Sequence, residues 1–214
     1  MAKMASPEKR APEILKRLKK TYPDARGELD FSTPLELLVA TILSAQCTDA
    51  KVNEVTPALF RKYKSAKAYA EASTPEMESM VRSTGFYKNK ARSIQNCCMQ
   101  LAMEHGGRIP EEIDELTKLA GVGRKTANLV RAYAFNKPAI ICDTHVIRVS
   151  QRLGLTENKD PDKIERDLMP LVPEKDWTDF STLIMWLGRR CCSARKPACD
   201  GCPVEDLCPS AGDF

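Results

Sequence analysis

The segment "CCSARKPACDGCPVEDLC", residues 191–208, sets Cys192, Cys199, Cys202 and Cys208 in a C-x6-C-x2-C-x5-C array. No other stretch constrains the fold as much. A C-x2-C pair with one loop on either side lets four sulfurs converge from a single short segment, and a metal centre closed this way dictates the course of the backbone around it. Tetrahedral sulfur ligation suits zinc and an iron–sulfur cluster equally well. A disulfide knot is the competing arrangement, and the start of the chain argues against it. "MAKMASPEKRAPEILKRLKK" is charged throughout and carries no apolar core, so it is not a secretory signal. The expected compartment is the reducing cytoplasm, where cysteines turn to metal chemistry rather than to cross-links. Of the nine cysteines, Cys191 is an extra neighbour of the array, while Cys47, Cys97, Cys98 and Cys142 are scattered and read as small core residues. Nothing in the sequence marks an electron partner, so the centre reads as structural.

Before this tail the pattern is helical and strand signals are nearly absent. Ile14, Leu15 and Leu18 share one face of a basic helix. "FSTPLELLVATILSAQ" opens with Thr33 as N-cap, Pro34 at the first helical position and Glu36 completing a capping box. The apolar residues then run almost all the way round, which predicts a central, buried helix. "STPEMESMV" and "DPDKIERDLMPLV" repeat the Thr-Pro or Asp-Pro start, and Ile164, Leu168 and Leu171 mark a buried stripe. Gly85, Gly106, Gly107, Gly121, Gly123 and Gly154 fall between these segments, where a positive φ is cheap for glycine. The fold class is therefore all-α. Leu37 to Leu43 is the longest strong apolar run and is too short to cross a bilayer, so no membrane association is expected. A formal net charge of +4 permits a polyanionic partner without demanding one.

Two short stretches carry candidate chemistry. "EEIDELTKLAGVGRKTANLVRAYAF" reads as helix, hairpin, helix: Leu116 and Leu119 close the first helix, the glycines reverse the chain, and Ala127, Val130 and Ala134 form the packed side of the second. The free N–H groups that open this second helix point at an anion, which suits a DNA phosphate read without sequence preference; a plain tight turn between packed helices is the alternative. Lys125 favours the functional reading. It lies in the first turn, where the macrodipole disfavours a cation, and Arg124 and Lys118 are nearby. These influences favour the neutral amine, the form that attacks an electrophilic carbon to make a Schiff base. Asp143, in "CDTHVIRVSQRLGL", reads as the N-cap of the helix carrying Val146, Val149 and Leu153. The same tethered carboxylate can steady a cationic sugar and assist proton transfer. In the tail, Arg195 and Lys196, with Arg189 and Arg190 before them, form either a phosphate-holding projection or a solvated basic rim.

Taken together, "LDFSTPLELLVATILSAQCTDAKVN", "STGFYKNKA", "LAGVGRKTAN", "CDTHVIRV" and "ARKPACDGCPVEDLC" closely resemble the endonuclease III family, bifunctional DNA glycosylases and abasic-site lyases of the helix-hairpin-helix superfamily, nearly end to end. The resemblance implies a two-lobed all-α fold: residues 27–137 form a six-helix domain ending in the hairpin, and residues 1–26 with 138–214 form the cluster domain. DNA is expected in the groove between them. It implies a 4Fe–4S cluster on Cys192, Cys199, Cys202 and Cys208, with Lys125 as nucleophile and Asp143 as its carboxylate partner. The implied partner is damaged duplex DNA, bound by a monomer and carrying a flipped-out oxidised or ring-saturated pyrimidine. Gly121, Val122, Gly123, Arg124 and Thr126 would meet phosphate, as would Arg195 and Lys196, and His145 would touch the backbone. Gln46 would fill the gap left by the flipped base. Phe86 stands where many members have leucine and would act as a wedge; a core phenylalanine is the competing reading. Carbonyls of Thr117, Leu119 and Val122 would hold a monovalent cation, and Ala120 replaces a common proline with little expected consequence. The rivals are a monofunctional mismatch glycosylase, which can do without Lys125, and a non-catalytic DNA-binding module, which needs neither Lys125 nor Asp143.

Overall fold

The computed structural model describes residues 4–213; the extreme ends of the expected cluster domain, residues 1–3 and 214, lie outside it. The described residues contain helices and turns and no strand. The chain divides into two compact units, one of Glu28–Lys137 and the other of Met1–Gly27 with Pro138–Phe214.

Chain order begins with α1 (Pro7–Thr21), which belongs to the second of these units. Its apolar positions follow the helical period, and Ile14, Leu15 and Leu18 are buried as their spacing predicts. The Glu28–Lys137 unit then runs through α2 (Pro34–Leu43), α3 (Asp49–Lys62), α4 (Ala66–Ala70), α5 (Thr74–Val81), α6 (Tyr87–Glu104), α7 (Ile113–Leu116) and α8 (Arg124–Phe135). Two of these seven α-helices, α4 and α7, are short stretches of only five and four residues. At the centre lies α2, every residue from Leu37 to Leu43 buried, packed against α3, α6 and α8. Thr33 caps it as expected, its hydroxyl accepting the Glu36 N–H at 3.2 Å. The Glu36 carboxylate reaches back one residue further than a capping box requires, to the Ser32 N–H at 2.7 Å. In α5 the N-cap is Ser73 rather than the Thr-Pro threonine: Thr74 is already helical, and its hydroxyl meets the Gln95 side chain at 3.1 Å.

The remaining helices, α9 (Thr144–Arg152), α10 (Pro161–Leu168) and α11 (Trp177–Arg190), join α1 around a second core. Asp160 caps α10 through the Lys163 N–H at 3.0 Å. Gly188 lets α9 and α11 approach closely: a Cβ there would stand 2.9 Å from His145 Cβ and 3.1 Å from Val149 Cγ2. Arg10 is buried on α1 and donates to the carbonyls of Ala5 at 2.8 Å, Leu207 at 2.7 Å and Gly154 at 3.0 Å, and to that of Leu153. This guanidinium stitches the N-terminal helix to the cysteine-bearing tail across a long stretch of sequence, with charge-assisted bonds that offset its desolvation.

Candidate functional site

In the Glu28–Lys137 unit the chain reverses between α7 and α8. The helix before the reversal is shorter than the sequence pattern suggests, so Leu119 packs from the turn rather than from a helix. Gly121 sits at φ +76, a left-handed conformation that only glycine adopts without strain. Gly123 does not share this property: at φ −87 it is the extended N-cap of α8. Val122 is buried and its N–H bonds the Leu119 carbonyl at 3.1 Å, anchoring the tip. The next turn carries Arg124 and Thr126, half-buried, and Lys125, exposed. Ala127 and Val130 are fully buried behind them, and Ala134, half-buried, packs against the same core as expected. Lys118 is not a bare positive neighbour of Lys125, because it pairs with Glu115 at 2.7 Å.

The hairpin leans on α6. A Cβ at Gly121 would come within 2.9 Å of Ser93 Cβ. The Ala120 N–H donates to the Gln100 side-chain oxygen at 2.7 Å. That bond corrects the expectation for Ala120: proline has no N–H, so alanine adds an attachment that a proline could not make. Two other predicted residues in this unit share an unusual backbone. Gln46 lies at φ +52 and Phe86 at φ +47; with Asn136 they are the non-glycine residues of positive φ among those described. Such conformations persist where the surroundings over-determine them, and they cluster at functional sites. Both side chains face outward, and Phe86 is 62% exposed, so it is not a core phenylalanine.

In the other unit Asp143 is the N-cap of α9, its Oδ1 accepting the Val146 N–H at 2.7 Å. The cap fixes the carboxylate where the helix N–H groups meet it, as the spacing predicts. His145 follows within the first turn, its Nδ1 3.2 Å from Arg148 Nη2. Arg148 and Arg152, which nothing in the sequence singles out, are the main struts of the cysteine loop. Arg148 donates to the carbonyls of Gly188 and Cys192, each at 2.9 Å. Arg152 donates to the carbonyls of Ser193 at 2.7 Å and Ala194 at 2.8 Å, and to Cys192 Sγ at 3.2 Å. Their i,i+4 spacing after Asp143 is the only signal available in the sequence, and it is a common one. Arg195 and Lys196 are exposed on this braced loop, whereas Arg190 stacks on the Trp186 ring at 4.1 Å and serves packing.

Cys192, Cys199, Cys202 and Cys208 line a single cavity walled by Val149, Leu153, Leu187 and Val204. Among the described residues no three His, Cys, Asp or Glu side chains close on one ion-sized point. Four thiols lining one cavity are nonetheless a donor set that fits an iron–sulfur cluster. Burial pushes the Cys202 thiol up to about 12 and raises that of Cys208, so these sulfurs need a cationic centre to become ligands. Cys191 lines the same cavity, bonded to the Cys202 thiol, with its Sγ 3.1 Å from the Ala198 carbonyl. Cys97, Cys98 and Cys142 are buried core residues, and Cys47 is half-buried.

Comparisons with known proteins agree with this anatomy. Residues 39–174 match the model of the HhH-GPD superfamily base excision DNA repair proteins, and residues 192–208 match the iron-sulfur binding domain of endonuclease III. The chain is 54% identical to endonuclease III of Synechocystis sp. over 99% of its own length and 97% of that protein. Among solved structures it is similar to a trapped endonuclease III–DNA covalent intermediate, an estranged-adenine complex, with a TM-score of 0.93 and 43% identity over 98% of this chain and 99% of that one. A thermostable thymine-DNA glycosylase shares the fold, with a TM-score of 0.87 over 96% of this chain and 98% of that one at 22% identity.

Proposed function

The chain belongs to the endonuclease III family, and on that premise we propose that it is a bifunctional DNA glycosylase and abasic-site lyase removing oxidised or ring-saturated pyrimidines from duplex DNA. The observation that carries the reading is Lys125, an exposed amine in the first turn of α8 behind a left-handed glycine, in a chain alike over nearly its whole length to a protein trapped in covalent union with DNA.

The neutral amine of Lys125 attacks C1′ of the lesion nucleotide while the bond to the damaged base breaks; the base leaves with the bonding pair and takes up a proton. Ring opening then yields a Schiff base between Nζ and C1′. Its positive charge acidifies the C2′ hydrogen. Loss of that proton expels the oxygen at C3′ with its phosphate and nicks the strand, and water releases the amine. Asp143, held by the α9 N–H groups, stabilises the cationic sugar and assists proton movement. The hairpin residues Gly121, Val122, Gly123, Arg124 and Thr126 meet phosphate through backbone and side chain, with a monovalent cation on the carbonyls of Thr117, Leu119 and Val122. His145, Arg195 and Lys196 add backbone contacts, and Gln46 and Phe86 fill the space of the displaced base. When bound, the 4Fe–4S cluster on Cys192, Cys199, Cys202 and Cys208 gives the loop between them a fixed shape. The protein acts as a monomer in the cytoplasm, where bacterial DNA lies.

Borohydride reduction tests the mechanism. It should trap the wild-type protein on an oligonucleotide carrying thymine glycol or an abasic site, and Lys125→Ala should abolish the adduct. Trapping that survives the substitution would refute the lysine assignment, and base release without strand nicking would favour the monofunctional mismatch reading. Asp143→Asn should bind DNA and lose most turnover; unchanged kinetics would leave Asp143 only its capping role.

A further inference from the structure

Lys90 is out of place by ordinary rules. It is a lysine at 4% exposure, near the N-terminus of α6, where the helix dipole opposes a cation. An apolar side chain of similar length would fill the space without taking a charge out of water. Burial pushes the Lys90 ammonium below the usual lysine range, a sign that its position is disfavoured in itself.

What the ammonium touches gives it a role. Lys90 Nζ donates to the Thr84 carbonyl at 2.6 Å, and the main-chain N–H of the same residue donates to the Phe86 carbonyl at 3.0 Å. The carbonyls on either side of Gly85–Phe86 thus end on one residue. Thr84 is itself fixed, buried with its hydroxyl bonded to the Val81 carbonyl at 2.8 Å. Between these anchors the chain passes through φ +71 at Gly85 and φ +47 at Phe86, and the aromatic ring is left in solvent.

We propose that Lys90 is a positioning residue for duplex opening: its ammonium clamps the Thr84 carbonyl so that the Gly85–Phe86 turn stays left-handed and presents the ring to the base stack. The inference rests on the repair reading above. It asks nothing of Lys90 in bond making, so a substrate that needs no opening should not sense its loss.

The test compares two substrates. For Lys90→Met, excision of thymine glycol from a duplex should slow about tenfold, the scale on which a single ordering interaction acts. Borohydride trapping on a single-stranded abasic oligonucleotide should stay within about twofold of wild type on the same scale. In a Phe86→Ala background the Lys90 substitution should add no further loss on the duplex. Equal losses on both substrates, undiminished duplex turnover, or additivity with Phe86→Ala would each overturn the proposal. If Lys90→Met does not fold, Lys90→Arg, which keeps donors at the same depth, should retain more duplex turnover than Phe86→Ala; a folded Lys90→Arg protein that does not would overturn it equally. Wild-type trapping in the same experiment separates the two readings. Its absence ends the functional reading, whereas the Lys90 comparisons bear only on positioning.

Discussion

Gly121→Ala should damage the hairpin in a way whose size follows from two separate contacts. At φ +76 an alanine pays the left-handed penalty of about 1–2 kcal/mol. Its Cβ would also stand 2.9 Å from Ser93 Cβ and 3.2 Å from Ser93 Oγ. The hydroxyl can rotate away, but Ser93 Cβ is fixed to the α6 backbone, so either helix or turn must move, an overpacking cost of about 1–3 kcal/mol. The sum is about 2–5 kcal/mol, large against ordinary domain stability. Ser93→Gly isolates the second contribution. Alone it costs roughly 0.5 kcal/mol of helix propensity, but combined with Gly121→Ala it should recover the overpacking part, so the pair departs from additivity by about 1–3 kcal/mol. The assay must watch the correct unit. Trp177 and Trp186 both lie in the Pro138–Phe214 segment, so far-UV circular dichroism and amide exchange of Val122 and Ala127, not tryptophan fluorescence, report the hairpin. A Gly121→Ala protein within about 0.5 kcal/mol of wild type, or strict additivity with Ser93→Gly, would refute the packing argument.

Two further outcomes follow from the other unit. Arg148→Gln removes the donors to the Gly188 and Cys192 carbonyls; leaving such groups unpaired costs about 1–3 kcal/mol, and the visible absorbance of the cluster should fade sooner in denaturant than that of wild type. Asp167 accepts from the Thr156 hydroxyl and from Asn158 Nδ2 at 2.7 Å, which hold its carboxyl below the usual aspartate range. A depressed folded value means that its contribution is complete above the ordinary carboxylate range and is lost as pH falls through the lower folded value. Asp167→Asn should therefore lower the melting temperature at neutral pH while flattening its decline in acid, and parallel profiles for variant and wild type would dismiss the assignment.

The elements legible in advance were those whose signals are local. Thr33 with Pro34 and Asp160 with Pro161 start helices where the chain alone says so, because the cap bonds close within three residues. The all-α class, the hairpin and the thiol array follow from periodicity, glycine and spacing. Burial of single charges was not legible. Lys88 and Lys90 stand two apart in "YKNKA", one exposed and one buried, and the difference is made by the Thr84 carbonyl, which folding brings to one of them. Arg10 beside Lys9 repeats the lesson, as do Arg148 and Arg152, whose partners lie some forty residues away. Phe86 stood between wedge and core on its letter alone, and only the left-handed turn that carries the ring outward decides between them.

Along α6, Lys90, Ser93 and Gln100 recur on one side of the same rod, Lys90 bracing the Phe86 turn while Ser93 and Gln100 seat the hairpin. At 1.5 Å per residue the span from Lys90 to Gln100 is about 15 Å, and no loop can lengthen it. The gauge between the ring and the hairpin tip is thus machined into a single helix. Inserting one residue between Lys90 and Ser93 would swing one contact about 100° around the axis relative to the other. The separation of these two contacts is therefore inherited with the helix as a whole.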